Sequence, residues 1–147
     1  MTKFIWIFLV VLAGSLLPIQ AGLNTKMGKA IESPVWASLI SFAVGTIVML
    51  IYAGVTKQGF SVSELRNVPA HTWLAGVLGA FYVTTIVLAF PRLGPALTFG
   101  LVVAGQLFIS LLLDHFNILV QAQHSINIFR VIGMLLIIAG VVIIRSF

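Results

Sequence analysis

The sequence predicts an all-α integral membrane protein of five transmembrane helices, and three observations carry that reading. Hydrophobic residues fill 61% of the 147 positions and charged residues only 7%. Mean hydropathy is +1.19, so the chain lacks the polar surface that a water-soluble domain shows to solvent. The eight Lys and Arg stand singly between apolar runs, most of which are close to the ~20 residues that a helix needs to cross a bilayer. The links are short, so residues 1–147 read as a single five-helix membrane domain, with approximate spans 4–25, 34–56, 72–91, 94–113 and 126–145.

The charges delimit each span, because a charged side chain at bilayer centre costs ~2.5–3.5 kcal/mol on insertion scales. The first run, from Phe4 to Thr25, follows Lys3 and imitates a secretory signal. It continues past any cleavage point, however, and Ile19 stands where an A-x-A site needs a small residue, so it reads as the first helix. Ser33 before Pro34 predicts an N-cap with Pro at the first helical position of the second span. The third span follows a polar Asn67-Val68-Pro69 lead-in and inserts from about Thr72. Trp36 and Trp73 lie near helix starts, where an indole suits the membrane interface. The fourth span follows Gly94-Pro95. The fifth has the shortest uncharged core, Val131 to Ile144; Arg130 and Arg145 extend it by snorkelling, and Ser125 is its expected cap.

Five spans put the two ends of the chain on opposite sides. One side then holds Lys3, Lys57, Arg66 and Arg130, and the other Lys26, Lys29, Arg92 and Arg145. Loop Lys and Arg asymmetry sets orientation, so this balance leaves the positive-inside rule nothing to act on and predicts insertion both ways. Oppositely oriented copies can pair into an antiparallel dimer with ten helices, the inverted-repeat plan of many secondary transporters. A chance balance among so few charges is the competing reading.

Polar residues inside the spans are the candidate site. Gln20 and Asn24 share a helix face just after Pro18; they read either as a grip on a polar ligand or as helix-to-helix glue. Ser38, Ser41, Phe42 and Gly45 recur at helical spacing on the second span, as do Gly76, Gly79 and Tyr82 on the third. Packing is the reading taken for these glycines, with Phe42 and Tyr82 as candidate cavity walls. Arg92, between Pro91 and Gly94-Pro95, sits at a predicted turn, as a cavity-mouth residue or a plain anchor. Thr98, Gly105 and Gln106 decorate the fourth span, with Gln106 about 12 Å along the axis from Asp114. Asp114 and His115 close that helix, and Arg130 on the same side is the expected partner, for proton coupling or for a boundary ion pair. Gly133 and Gly140, seven apart, offer a helix-pairing groove for a dimer interface.

Several function classes drop out. The scattered cations form no basic face, so nucleic acid is not an expected partner. The only acids are Glu32, Glu64 and Asp114, there is no Cys, and no phosphate loop or H-E-x-x-H occurs. Neither an enzyme nor a metal or other cofactor site is therefore expected.

Taken in order, several of these segments resemble the YdcZ-like, five-helix, half-size branch of the bacterial drug/metabolite transporter superfamily. They are Pro18 with Asn24, Ser41-Phe42-Ala43-Val44-Gly45-Thr46, Leu78-Gly79-Ala80-Phe81-Tyr82-Val83, Pro91-Arg92-Leu93-Gly94, Gly105-Gln106-Leu107, Asp114-His115-Phe116, and Arg130 with Gly133. The resemblance implies a multi-pass bacterial inner-membrane protein whose relatives occur as dual-topology homodimers, oppositely oriented pairs or fused ten-helix chains. The closing Gly-x6-Gly helix is also similar to the four-helix small multidrug resistance proteins. Their first-helix glutamate is replaced here by Gln20 and Asn24, so proton-coupled cation export does not carry over. The expected function is alternating-access transport of a small organic solute, with membrane lipid as the surroundings. The alternative is a non-transporting or obligate heteromeric subunit that completes a paralogous five-helix partner.

Overall fold

The computed structural model describes residues 3–120 and 124–146 of the chain. It is all-helical: α1 (Lys3–Ala30), α2 (Pro34–Val55), a short α3 (Val62–Arg66), a 3₁₀ turn (Ala70–Trp73) leading into α4 (Leu74–Leu93), α5 (Pro95–Phe116) and α6 (Ile128–Ser146). Among the described residues, five helical stretches are long and apolar enough to cross a membrane. No more than 11% of the most apolar stretch of any of them is buried within the chain. The large apolar side chains face outward, the arrangement expected where lipid rather than water is the solvent.

The chain divides into two compact units, Met1–Pro91 and Arg92–Phe147. In the first, α1 runs without a break through Pro18 and on past the uncharged stretch, taking Lys26 and Lys29 into its last turns. It stops in a Schellman-type turn: Ser33 N–H donates to Gly28 C=O at 2.9 Å and Glu32 N–H to Lys29 C=O at 3.4 Å. Glu32 takes the left-handed conformation, φ 53°. Ser33 then caps α2, its Oγ accepting the Trp36 N–H at 3.3 Å, with Pro34 at the first position as the sequence predicts.

This tight connection lays α1 against α2. The buried residues of α1, Ala21, Asn24, Thr25 and Gly28, fall at helical spacing and meet the buried Ala37 and Ser38 of α2 as a seam of small side chains. A Cβ on Gly28 would stand 3.2 Å from Pro34 Cα and 3.6 Å from Ala37 Cβ, so the close approach needs glycine there. α4 reaches the same unit through side chains, Phe90 lying over Gly22 and Phe42 beside Gly79.

Between α2 and α4, Ser61 Oγ accepts the Glu64 N–H and caps α3, a short helix within what the sequence alone suggests is a plain link. The signal was present as Ser61-x-x-Glu64, the capping-box pattern.

In the second unit, Gly94 takes φ 77°, where only glycine is unstrained, and ends α4 so that Pro95 can begin α5. Thr98 Oγ1 donates to Gly94 C=O at 2.7 Å. α5 packs on α6, with Val141 so close to Gly100 that a Cβ there would meet Val141 Cγ2 at 3.0 Å. The expected Ser125 cap is corrected: Asn127 Oδ1 accepts the Arg130 N–H at 3.0 Å, and α6 starts at Ile128. Asn is as good an N-cap as Ser, and the helix begins two residues later than a Ser125 cap would place it. Residues 121–123 of the preceding link lie outside the described residues.

Candidate functional site

Among the described residues of the first unit, one polar pair lines two cavities. The larger, about 570 Å³, lies among α1, α2 and α4; Gln20, Ser41 and Thr46 line it with Phe42, Gly45 and Val83, and Met49, Leu50 and Ala53 continue the wall along α2. The smaller, about 350 Å³, is lined by Gln20, Leu23, Asn24, Met27, Ile40 and Ser41. Gln20 and Ser41 therefore belong to both walls. They meet there because Gln20 precedes Asn24 by one helical turn on α1 and Ser41 follows Ser38 by about one on α2, each just off the buried α1–α2 seam.

The polar groups of this unit's spans are sparsely partnered. Asn24 is 4% exposed, and its side chain makes no hydrogen bond among the described residues. Thr25 Oγ1 and Tyr82 Oη are buried without a partner among those residues. Each unsatisfied group in the membrane interior costs several kcal/mol unless water, solute or another chain meets it. Thr46 differs: its Oγ1 donates to Phe42 C=O at 2.9 Å and so offers the cavity an acceptor. Ser38 is committed in the same way, donating to Pro34 C=O at 3.0 Å.

The structure thus brings Gln20, Asn24, Ser41 and Phe42 together and leaves Tyr82 off both linings, although its neighbour Val83 joins the larger one. Gly45, read from sequence as a packing residue, meets nothing within 4 Å of where a Cβ would stand; it widens the cavity instead. Gly76 is equally open. Thr46 was not singled out as a site residue. The stripe Ser38, Ser41, Phe42, Gly45 continues along the same face of α2 to Thr46, so extending it by one turn finds the one polar wall residue that was passed over.

The remaining candidates belong to the second unit. Arg92 stands in the last turn of α4, where a cation is favoured by the helix dipole. Thr98 is buried, its hydroxyl committed to Gly94. Gln106 is exposed midway along α5. At the end of that helix Arg130 Nη1 reaches Asp114 Oδ2 at 3.0 Å and the His124 carbonyl at 2.9 Å. His115 Nδ1 accepts the Ile126 N–H at 3.3 Å. A cavity of about 360 Å³ between α5 and α6 is lined by Leu107, Ser110, Asp114, Arg130, Gly133 and Met134. Among the described residues, nothing lies within 4 Å of a Cβ position at Gly133 or Gly140.

A family model described as "Putative inner membrane exporter, YdcZ" matches residues 5–143. No curated protein and no solved structure matches the chain.

Proposed function

The chain belongs to the YdcZ family and is a multi-pass inner membrane protein, and on this premise we propose that it moves a small organic solute by alternating access. Two antiparallel copies form the working unit, a ten-helix inverted repeat within one bilayer. The observation that carries the reading is the α1–α2–α4 cavity: about 570 Å³, within the usual size of small-molecule sites, inside membrane-spanning helices and walled by Gln20, Ser41 and Thr46 among apolar side chains.

Gln20, Asn24, Ser41 and Phe42 contact the solute in this scheme. Tyr82, Arg92, Thr98 and Gln106 come into the pathway as the two copies rock, while Asp114 and His115 are the candidates for coupling to a driving ion. Three features support a second copy. Gln106 leaves a polar amide exposed midway along an apolar helix, Asn24 places a polar side chain in the largely buried α1 seam, and Gly133 and Gly140 have nothing within 4 Å of a Cβ position among the described residues, which suits close pairing. The balanced Lys and Arg tally supports opposite orientations.

The test is solute flux into liposomes that contain this protein alone. Flux above that of empty vesicles is expected, together with a crosslinkable dimer. Absence of flux from a panel of small organic solutes, with the dimer intact, contradicts the reading.

A further inference from the structure

Resting on that transport reading, we infer that the first-unit cavity takes an uncharged amphipathic solute, an apolar body with one hydrogen-bonding head, and rejects organic cations and anions. The argument begins with what the walls contain. Neither the larger cavity nor the smaller one that shares Gln20 and Ser41 is lined by an ionisable side chain. The charges of this unit sit at Lys3, in the last turns of α1 and the turn after it at Lys26, Lys29 and Glu32, and in the link at Lys57, Glu64 and Arg66. A solute carrying net charge would leave water for these cavities with no counter-charge to meet it, which is strongly unfavourable in a low-dielectric site.

What the walls do contain suits a neutral head group. Gln20 offers both a donor and an acceptor, Ser41 a hydroxyl that can do either, and Thr46 an acceptor, since its proton is committed to Phe42. Asn24, a largely buried residue, adds an amide on the wall of the smaller cavity. Along the helices, Asn24 to Gln20 spans about 6 Å and Ser41 to Thr46 about 7.5 Å. The polar groups therefore form a ladder that starts near the Lys26 end of α1 and runs inward along α2. A neutral head passes from Asn24 to the Gln20–Ser41 pair and on towards Thr46 without losing a hydrogen-bonding partner. Phe42, Met49, Leu50 and Val83 receive the apolar body.

Three probes of matched shape test this: 4-phenylbutanamide, 4-phenylbutanoate and 4-phenylbutyl-trimethylammonium, measured by equilibrium binding to the purified full chain in lipid nanodiscs. The amide is expected to bind at least about tenfold more tightly than either ion. Gln20→Leu should remove most of that advantage. Gln20→Glu, which puts a carboxylate on the same wall, should raise cation binding at least about tenfold. An ion that binds the unaltered protein as tightly as the amide, or binding of none of the three, overturns the inference. Gel filtration of each variant identifies any that fails to fold, and Ser41→Ala, a smaller change to the same wall, then takes its place with the same expected loss of amide binding. Flux is read separately: binding of the amide without transport of any solute sinks the transport reading alone, whereas transport of the ions in preference to the amide sinks only the solute class.

Discussion

Arg130 Nη1 bridges two groups at once, Asp114 Oδ2 at 3.0 Å and the His124 carbonyl at 2.9 Å, and so ties the start of α6 to the end of α5. The backbone closes the same junction: His124 N–H donates to the Asp114 carbonyl at 3.3 Å. The two side chains are 31% and 27% exposed. Solvent screens a pair of that exposure, and its net worth is at most about 1 kcal/mol. Asp114→Asn should therefore leave the fold intact and lower thermal stability in detergent by no more than that. A much larger loss would show that the pair is a structural keystone.

His115 acts on the same link from the other direction. Its Nδ1 accepts the Ile126 N–H, which requires that nitrogen to be unprotonated. His115→Ala should expose the Ile126 amide and speed its hydrogen exchange about fivefold, the equivalent of about 1 kcal/mol for one hydrogen bond. The Arg130 amide, capped by Asn127, should be little changed. Equal acceleration of both amides would mean that the helix start as a whole had come loose.

Two glycines should behave oppositely. Gly28→Ala places a methyl 3.2 Å from Pro34 Cα, a backbone atom that cannot swing away, and should cost about 1–3 kcal/mol in thermal unfolding. Gly45→Ala meets nothing within 4 Å and should be stable, while narrowing the larger cavity. A stable Gly28→Ala protein would contradict the close α1–α2 seam.

Helix ends give a stabilising prediction. Lys57 follows α2 with φ 53°, and Gln58 N–H closes on the Ala53 carbonyl at 2.9 Å, the same kind of turn as at Glu32. Lys57→Gly removes the left-handed strain and should raise stability by about 1 kcal/mol. Its thermal midpoint in detergent checks this, and a lower midpoint would refute it.

Asn24→Ala and Gln106→Ala should each abolish most solute flux in liposomes while the dimer persists on crosslinking. Normal transport by both variants would remove these residues from the proposed site.

Much of this architecture was legible because charge is costly in lipid. The single Lys and Arg residues mark the spans, and Ser33-Pro34 and Gly94-Pro95 mark two helix starts by local backbone chemistry alone. The left-handed helix ends at Glu32, Lys57 and Asn117 were not legible, since no glycine announces them. Packing roles were harder still. Gly28 and Gly100 make close approaches, while Gly45 and Gly76 face open space, and a helical sequence does not say which of its faces meets a neighbour when every face is apolar. On the cavity walls, Gln20, Asn24 and Ser41 were legible because polar atoms stand out in such a sequence, and Phe42 because it falls on the stripe of Ser38, Ser41 and Gly45. The apolar wall of Met49, Leu50 and Val83 is chemically the same as the lipid-facing surface and is recognised only in three dimensions.

Orientation tests the account's central claim, that oppositely inserted copies of one chain make the transporter. The sequence contains no Cys, so Thr2→Cys and Phe147→Cys, at positions outside the described residues, each provide a single reactive thiol. Intact cells expressing either variant would be treated with a membrane-impermeant thiol reagent and compared with permeabilised cells. Partial labelling of both variants in intact cells is the predicted result and establishes insertion both ways. Labelling of one variant alone would contradict the antiparallel homodimer and point to an obligate partner chain of opposite orientation.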